Sequence, residues 1–259
     1  HMFDRITPRL RDRLRDGAIG RLRRASRRCC WPRPATSAPR NDWAGAMRRN
    51  GAWVLDSPAQ NAMAHFLQLM LYFIGGEPRA VEAELYRARP IENFDTCALR
   101  IEMPRDVTAT ALLSHASGET RQPRIVIEGD AGQMAWGFDG AVFKDPAGNE
   151  IETLDADNDV RRNIAWRIAA DLRGECGPDD AGCSLEAARP HTLVINAAAE
   201  AAAVHTIAES HYEVHDDGVR ALTGIEAAFD RCAASGQLLH ESGELPWTAP
   251  PGRLELDHY

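Results

Sequence analysis

The chain has 259 residues, of which 44% are hydrophobic and 26% charged, as expected for a globular protein that buries a sizeable core. No apolar run reaches the roughly 18 residues of a membrane span, and no apolar segment follows the basic amino terminus as in a signal peptide. These properties exclude a helical membrane protein and a long disordered chain.

The formal net charge of −8 is unevenly distributed. Residues 1–50 contain 14 arginines and 4 aspartates, so they carry +10 and the rest of the chain carries −18. A basic arm can contact nucleic acid, but residues 9–17 mix arginine and aspartate at helical spacings, which favours a solvated helix face or a domain contact. We therefore predict no nucleic-acid partner.

Cysteine usage predicts no metal site. The six cysteines form no CxxC pair and show no metal-ligand spacing. Reduced thiols in the cytoplasm are the favoured reading for a chain of this size. The alternative is an oxidising compartment, in which Cys176 and Cys183 could form a disulfide across the loop between them.

The amino-terminal part predicts a short helix followed by a strand. We set residues 1–2 apart as a cloning scar. Thr7 is the predicted N-cap of the helix, with Pro8 in its first turn, and residues 21–31 predict a strand. Residues 32–50 then form a long proline-containing connection, and a connection of this length in a compact domain is usually functional.

The next segment, SPAQNAMAHFLQLMLYFIGG over residues 57–76, predicts an apolar helix that ends at two glycines. Asn61, His65 and Gln68 interrupt it at spacings i, i+4 and i+7, which places the three on one helix face. A lone histidine on such a helix can be a hydrogen-bonded core residue. The polar stripe around it favours the floor of a substrate pocket.

Alternating apolar residues and turn signals follow, and helical patterns return after residue 158. This order predicts an α+β fold: a large, mostly antiparallel open sheet with helices packed on one face. The predicted strands cover residues 80–88, 97–103, 109–117, 123–129, 132–138 and 141–145, and the predicted helices cover 159–173, 184–208 with Ser184 as N-cap, and 217–234.

Several enzyme motifs are missing from the sequence. It contains no GxGxxG, P-loop, HExxH or GxSxG motif. The glycines of GDAGQMAWG, residues 129–137, lie in a strand–turn–strand pattern that offers no helix N-terminus to a phosphate. A self-contained nucleotide-dependent enzyme is therefore not predicted.

Five stretches in the same order resemble the C-terminal domain of the Gfo/Idh/MocA family of NAD(P)-dependent oxidoreductases, named for glucose–fructose oxidoreductase and inositol dehydrogenase. They extend over nearly the whole chain. The stretches are FDRITPRLRDRLRDGAIGRLRRA (3–25), GAWVLDSP (51–58), NAMAHFLQLMLYFIGG (61–76), RIVIEGDAGQMAW (124–136) and LLHESGELPW (238–247).

The resemblance implies site residues. The family's catalytic helix carries Asp-x-x-x-His, and His65 matches its histidine, which contacts the hydroxyl that is oxidised and helps to move its proton. Asn61 stands at the aspartate position, and an asparagine can orient a hydroxyl but cannot ionise. The predicted catalytic residues are therefore His65 and Asn61. The predicted substrate contacts are Arg40, Asp42, Trp43, Gln68 and Arg33.

The resemblance also implies a domain organisation. Residues 3–259 correspond to the substrate-binding and oligomerisation domain, and residues 3–17 correspond to the junction with a Rossmann domain that is absent here. That domain would bind NAD or NADP in the full-length parent and supply the family's catalytic lysine, whereas Lys144 is the sole lysine here. No cofactor is expected to bind this chain tightly.

The predicted function is the substrate-binding and assembly domain of an NAD(P)-dependent oxidoreductase acting on a sugar or polyol hydroxyl, and the domain alone is predicted to be inactive. The predicted partners are a small-molecule sugar or polyol, the missing Rossmann domain, and further copies of the chain through the sheet face. Two alternatives stay open: a non-catalytic module that binds carbohydrate or protein, and an NAD-dependent glycosidase of the same superfamily.

Overall fold

The structure is a computed structural model, and it describes residues 1–34, 42–157, 159–175 and 183–257. Within these ranges, no helix combines the length and the apolar character needed to cross a bilayer. Cys183 is an exposed free thiol, and Cys176, its predicted alternative partner, lies outside the described residues.

The described ranges contain six α-helices and fourteen β-strands. The helices are α1 (Ile6–Arg15), α2 (Ala64–Ile74), α3 (Val160–Leu172), α4 (Leu185–Ala201), α5 (Ile225–Ser235) and α6 (Leu239–Ser242). The strands are β1 (Leu22–Cys30), β2 (Arg48–Arg49), β3 (Ala52–Trp53), β4 (Ala80–Arg87), β5 (Thr96–Met103), β6 (Val107–Ser114), β7 (Arg121–Gly129), β8 (Gly132–Gly137), β9 (Gly140–Lys144), β10 (Glu150–Asp155), β11 (Val204–Thr206), β12 (Tyr212–Val214), β13 (Arg220–Leu222) and β14 (Gly252–Glu255).

One ten-stranded sheet organises the domain. Its strand order is β10-β9-β8-β7-β1-β6-β5-β4-β11, and β14 also pairs with β4. Strands β4 to β10 follow one another through short turns and pair antiparallel, except that β7 joins β1 rather than β6. Only the pairs β1–β6 and β11–β4 of this sheet are parallel. The predicted α+β class and the mostly antiparallel sheet are confirmed.

Most of the core lies between the sheet and the helices on one face. Helix α2 is the centre of this layer, because eight of its eleven side chains are buried. Helices α1 and α4 contact α2 and complete the layer. This arrangement confirms the predicted layer of helices. In addition, α5 and α6 cover part of the opposite face, where Phe229 packs with Tyr86 and Leu112.

The first two helices begin at other residues than predicted. Helix α1 begins at Ile6, because the Asp4 carboxylate accepts the Ile6 amide at 3.1 Å, while the Thr7 hydroxyl donates to the His1 carbonyl. Helix α2 begins at Ala64, since residues 57–63 form turns in which the Ser57 carbonyl accepts the Asn61 amide.

Short elements near the carboxyl end were mispredicted or missed. Ser184 is the N-cap of α4 as predicted, but the helix ends at Ala201, and β11 replaces its expected continuation to residue 208. Helix α5 begins at Ile225 rather than at residue 217. Segments of three to six residues give too little periodicity to recognise, so β10, α6 and β14 were not predicted.

The glycines of residues 129–132 form a tight turn. Gly129 and Gly132 pair directly as β7 continues into β8. The Ala131 amide donates to the Ile19 carbonyl at 2.9 Å, which ties this turn to the segment before β1. A Cβ atom at Gly129 would overlap that carbonyl oxygen. Gly129 is therefore required by the close approach of two backbones.

We predict that Gly129→Ala lowers the free energy of unfolding by about 1–3 kcal/mol, because overpacking against the Ile19 carbonyl forces a backbone shift. Urea unfolding followed by circular dichroism measures the change. Gly137→Ala is the matched control, since nothing lies within 4 Å of a Cβ atom there. Equal stability of the two variants would contradict the steric argument.

Candidate functional site

The long connection after β1 ends in an exposed hairpin. Strands β2 and β3 are joined by Asn50 and Gly51, whose φ angles of 51° and 81° are both left-handed, as a tight hairpin turn requires. The Arg48 guanidinium lies 3.5 Å from the centroid of the Trp53 ring. Trp53 is 61% exposed, so the hairpin presents a cation–π pair at the surface.

The Asp56 carboxylate holds this connection against the start of α2. Its Oδ2 accepts the Gly45 amide at 2.6 Å, and its Oδ1 accepts Nδ2 of Asn61 at 2.9 Å. The side chain of Asn93 donates to the Asp56 carbonyl at 3.1 Å. The preceding residue, Leu55, has a left-handed φ of 52°, a strained conformation for this residue type. Asp56 thus brings the 42–45 segment and Asn61 together.

His65 lies in the first turn of α2 and is exposed. No residue in the described part of the chain hydrogen-bonds its ring nitrogens. Partial burial of the ring, the amino-terminal ammonium and the Arg27 guanidinium lower the pKa of His65 below its usual value. The imidazole is therefore neutral near pH 7 and can accept a proton.

The three predicted stripe residues do not share one helix face. Asn61 lies in the turn before α2. Gln68 is buried, and its Nε2 donates to the Ala187 carbonyl of α4, so it joins two helices. His191 of α4 also faces this seam, with Nε2 at 3.0 Å from the Ala59 carbonyl. The structure therefore places Asn61 and His65 at the surface and Gln68 in a packing contact.

Aromatic rings line a cradle beside the first turn of α2. The centroids of Phe66, Trp136 and Phe138 lie 5.0, 5.6 and 5.3 Å from that of the His1 ring. Trp31 meets Phe66 edge-on at 5.6 Å. This aromatic cradle holds one flat ring, which is the packing geometry that suits a ligand with a flat apolar face.

Arg27 lies beneath α2 and was not singled out from the sequence. It is 1% exposed, and its Nη2 donates to the Met63 carbonyl at 2.8 Å. Its guanidinium lies 5.3 Å from the centroid of the Phe66 ring. Burial lowers the pKa of Arg27 to about 10, so it stays charged. Its position in an arginine-rich strand, on the face of Ala25 and Cys29, was the available signal.

The other predicted contacts are dispersed. Asp42 and Trp43 are exposed, and the Asp42 carbonyl accepts Nε of Arg49. Arg33 is exposed, and its amide donates to the His115 carbonyl at 3.0 Å. Arg40 lies outside the described residues. The bonds from Asp56 to Gly45 and to Asn61 connect the 42–45 segment, which contains Asp42 and Trp43, to the start of α2.

Neither a cluster of metal-binding side chains nor a glycine-rich phosphate loop at residues 129–132 is found in the described part of the chain. They contain no group of three or more histidine, cysteine, aspartate or glutamate side chains placed to hold a metal ion. The glycines that most resemble a phosphate-binding loop, Gly129 and Gly132, form the turn between β7 and β8 and pack against backbone. These two glycines therefore do not form a phosphate-binding loop.

Comparisons with known proteins give a family match. Residues 8–135 match the model of the GFO/IDH/MocA C-terminal domain. No curated protein sequence matches the chain. Among solved structures, the WlbA dehydrogenase from Bordetella pertussis, in complex with NADH and UDP-GlcNAcA, is 19% identical with a TM-score of 0.55, over 74% of this chain and 56% of that one.

Two further structures share the fold. KijD10, a 3-ketoreductase from Actinomadura kijaniata in complex with TDP-benzene and NADP, has a TM-score of 0.58 at 15% identity, over 80% of this chain and 61% of that one. The super-repressor mutant of Gal80p from Saccharomyces cerevisiae has a TM-score of 0.59 at 13% identity, over 76% of this chain and 60% of that one. This chain thus spans about 60% of their length, and these likenesses show the fold.

We predict that His115 makes the protein sensitive to acid. It is 4% exposed, its Nδ1 lies 2.8 Å from the Trp31 carbonyl, and burial with nearby Arg33 lowers its pKa to about 3. Between pH 6.5 and 3 the unfolded chain binds a proton that the folded chain does not. This histidine therefore removes about 1.4 kcal/mol of stability per pH unit as the pH falls below 6.5.

Urea unfolding from pH 7.5 to 4.5 tests this prediction. Asparagine does not titrate. The free energy of unfolding of wild type should therefore fall relative to that of His115→Asn as the pH drops below 6.5. Parallel stability curves for the two proteins would contradict the assignment.

Proposed function

Because the chain carries a GFO/IDH/MocA C-terminal domain over residues 8–135, we propose that it is the substrate-binding and assembly domain of an NAD(P)-dependent oxidoreductase. Its substrate is a sugar or polyol whose hydroxyl is oxidised, and the domain is inactive alone. The observation that carries the proposal is His65, exposed in the first turn of α2, with a lowered pKa and with ring nitrogens that no described residue hydrogen-bonds.

His65 is the proposed proton acceptor. A neutral imidazole can accept a hydrogen bond from a substrate hydroxyl and take its proton as the carbon is oxidised. The lowered pKa keeps the ring unprotonated at neutral pH, when it has to act as a base. The same group returns the proton in the direction of reduction.

Asn61 is the proposed orienting residue. Its Nδ2 donates to the Asp56 carboxylate, which leaves its Oδ1 to accept a hydrogen bond from a second hydroxyl. Asp56 is also held by the Gly45 amide, so the amide plane of Asn61 is fixed before a ligand arrives. The aromatic cradle of Phe66, Trp136 and Phe138 would hold the C–H face of the sugar in place of the His1 ring, which packs there in this structure.

The cofactor belongs to another part of the proposed longer protein. The solved relatives include complexes with NADH and with NADP, and this chain spans about 60% of their length. The turn at Gly129–Gly132 does not fit a dinucleotide, so no step of the reaction is assigned to this chain's glycines. We assign residues 3–17, which include α1, to the junction with that cofactor domain.

The open part of the sheet is the proposed assembly surface. Val126, Ala135 and Val142 lie directly across from one another on β7, β8 and β9, on the face opposite α2. All three side chains are partly exposed, which makes an aliphatic row on a sheet face. Such a row can pair with a second copy of the chain.

A non-catalytic module is the second candidate. An asparagine at the position of the family's catalytic aspartate favours it, since Asn61 cannot share a proton. The fold is shared with a Gal80p super-repressor as well as with dehydrogenases. The coding sequence that precedes Phe3 distinguishes the candidates: a strand–GxGxxG–helix unit with a Glu-Lys-Pro motif supports the enzyme, and a start codon there supports the module.

We predict that His65→Ala weakens polyol binding at least tenfold, because one hydrogen bond in the pocket is lost. Isothermal titration with NAD, NADP, myo-inositol, glucose and gluconate measures it, and no tight cofactor binding is expected. His240→Ala is the matched control, since His240 is an exposed histidine of α6 on the other side of the sheet. Tight cofactor binding, or unchanged polyol affinity in His65→Ala, would refute the proposal.

We predict that Ala135→Glu converts an oligomer into a monomer, because it places an unpaired charge in the aliphatic row. Size-exclusion chromatography with light scattering measures the mass. Ala147→Glu makes the same change in the exposed turn after β9 and should leave the mass unaltered. A monomeric wild type at high micromolar concentration would rule out this assembly surface.

A further inference from the structure

Arg27 is a buried cation without a counter-charge. Its Nε and Nη1 are buried and have no hydrogen-bond partner, while Nη2 uses only the Met63 carbonyl. The nearby thiols of Cys29 and Cys97 are protonated at neutral pH, because burial raises the pKa of both, and no carboxylate in the described ranges is paired with Arg27. Proteins rarely leave a buried guanidinium with orphaned donors, because desolvating the charge is costly.

The start of α2 adds positive potential at the same place. Met63, the residue before the helix, supplies the carbonyl that Arg27 contacts, and no side chain caps this end. The first turn contains no acidic residue, so nothing in it offsets the positive end of the helix dipole. Two nearby histidines respond to the same field: Arg27 contributes to lowering the pKa of His65 and of His191.

We infer that Arg27 and the first turn of α2 bind the carboxylate of a sugar acid. This inference rests on the proposed function and adds the substrate class: an anionic sugar whose carboxylate meets Arg27 while a hydroxyl meets His65. Both orphaned N–H groups would gain an acceptor, and the buried charge would gain its counter-ion. With Phe66 turned aside, the Trp136 and Phe138 rings of the aromatic cradle would contact the sugar ring in place of the His1 ring.

A carboxylate fits better than a phosphate on charge. A single guanidinium balances one negative charge, whereas a phosphate monoester carries about −1.5 to −2 at pH 7 and would leave charge uncompensated. The limited space around Arg27 also favours a carboxylate over a phosphate, since Arg27 is 1% exposed and Phe66 covers it. Entry of the carboxylate requires the Phe66 ring to turn aside, so the planar and smaller group is favoured.

The ligand test compares three sugars of one ring size. Wild-type protein is titrated calorimetrically with glucuronate, glucose and glucose 6-phosphate at pH 7.5 and constant ionic strength. Glucuronate is expected to bind at least tenfold more tightly than glucose, and glucose 6-phosphate no more tightly than glucose. Equal binding of glucuronate and glucose, or preference for the phosphate, would overturn the assignment of a carboxylate site.

Substitutions of Arg27 then test whether this residue is responsible for the preference for glucuronate over glucose. Arg27→Met should remove the preference for glucuronate over glucose, and Arg27→Lys should retain part of that preference. Arg28→Met is the matched control, because Arg28 is the neighbouring arginine of β1 on the opposite sheet face, paired with Asp230 at 2.8 Å. A glucuronate preference that survives in Arg27→Met would show that another residue binds the carboxylate.

The proposed function can fail separately. If glucose or myo-inositol binds in a His65-dependent way but glucuronate gains nothing, the function stands and the anion site is wrong. If glucuronate binds through Arg27 while His65→Ala changes no affinity, the anion site stands and the catalytic assignment is wrong. Where Arg27→Met fails to fold, the ligand comparison on wild-type protein still decides the question.

Discussion

The burial of α2 between the sheet and α4 is the constraint on which the rest of the structure depends. Eight of its eleven side chains are buried, so its position relative to β1 and α4 is set by close packing. The polar groups near its start must then be satisfied individually. The polar groups concerned are the Asp56 carboxylate, the Gln68 amide and the Arg27 guanidinium.

Two of these groups are satisfied to different degrees. Asp56 accepts hydrogen bonds from Gly45 and Asn61 at its two carboxylate oxygens, so it fixes the connection after β1 and leaves His65 open. Arg27 lies under the same turn with a single acceptor. Asp56 is therefore paired at both oxygens, whereas Arg27 keeps two buried nitrogens without an acceptor.

The sheet explains why glycines that suggest a nucleotide loop have a structural role instead. Gly129 and Gly132 close the β7–β8 turn, and a side chain at Gly129 would meet the Ile19 carbonyl. Ile19 itself is part of the Gly-x-Ile-Gly segment between α1 and β1. Two stretches that looked like separate family motifs are therefore in contact and support the same backbone.

The fold class, seven strands of the sheet and the apolar helix with His65 could be predicted from the sequence alone, because alternation and helical period are local properties of the chain. The sequence also determined the N-cap of α4 at Ser184. Only the tertiary structure showed that Asn61 precedes the helix, that Gln68 is a packing contact, and that Asp56 links Asn61 to Gly45. The burial of Arg27 could be seen only in the tertiary structure. Its guanidinium is buried and unpaired because β1 lies beneath α2, and no local sequence pattern shows which strand lies beneath which helix.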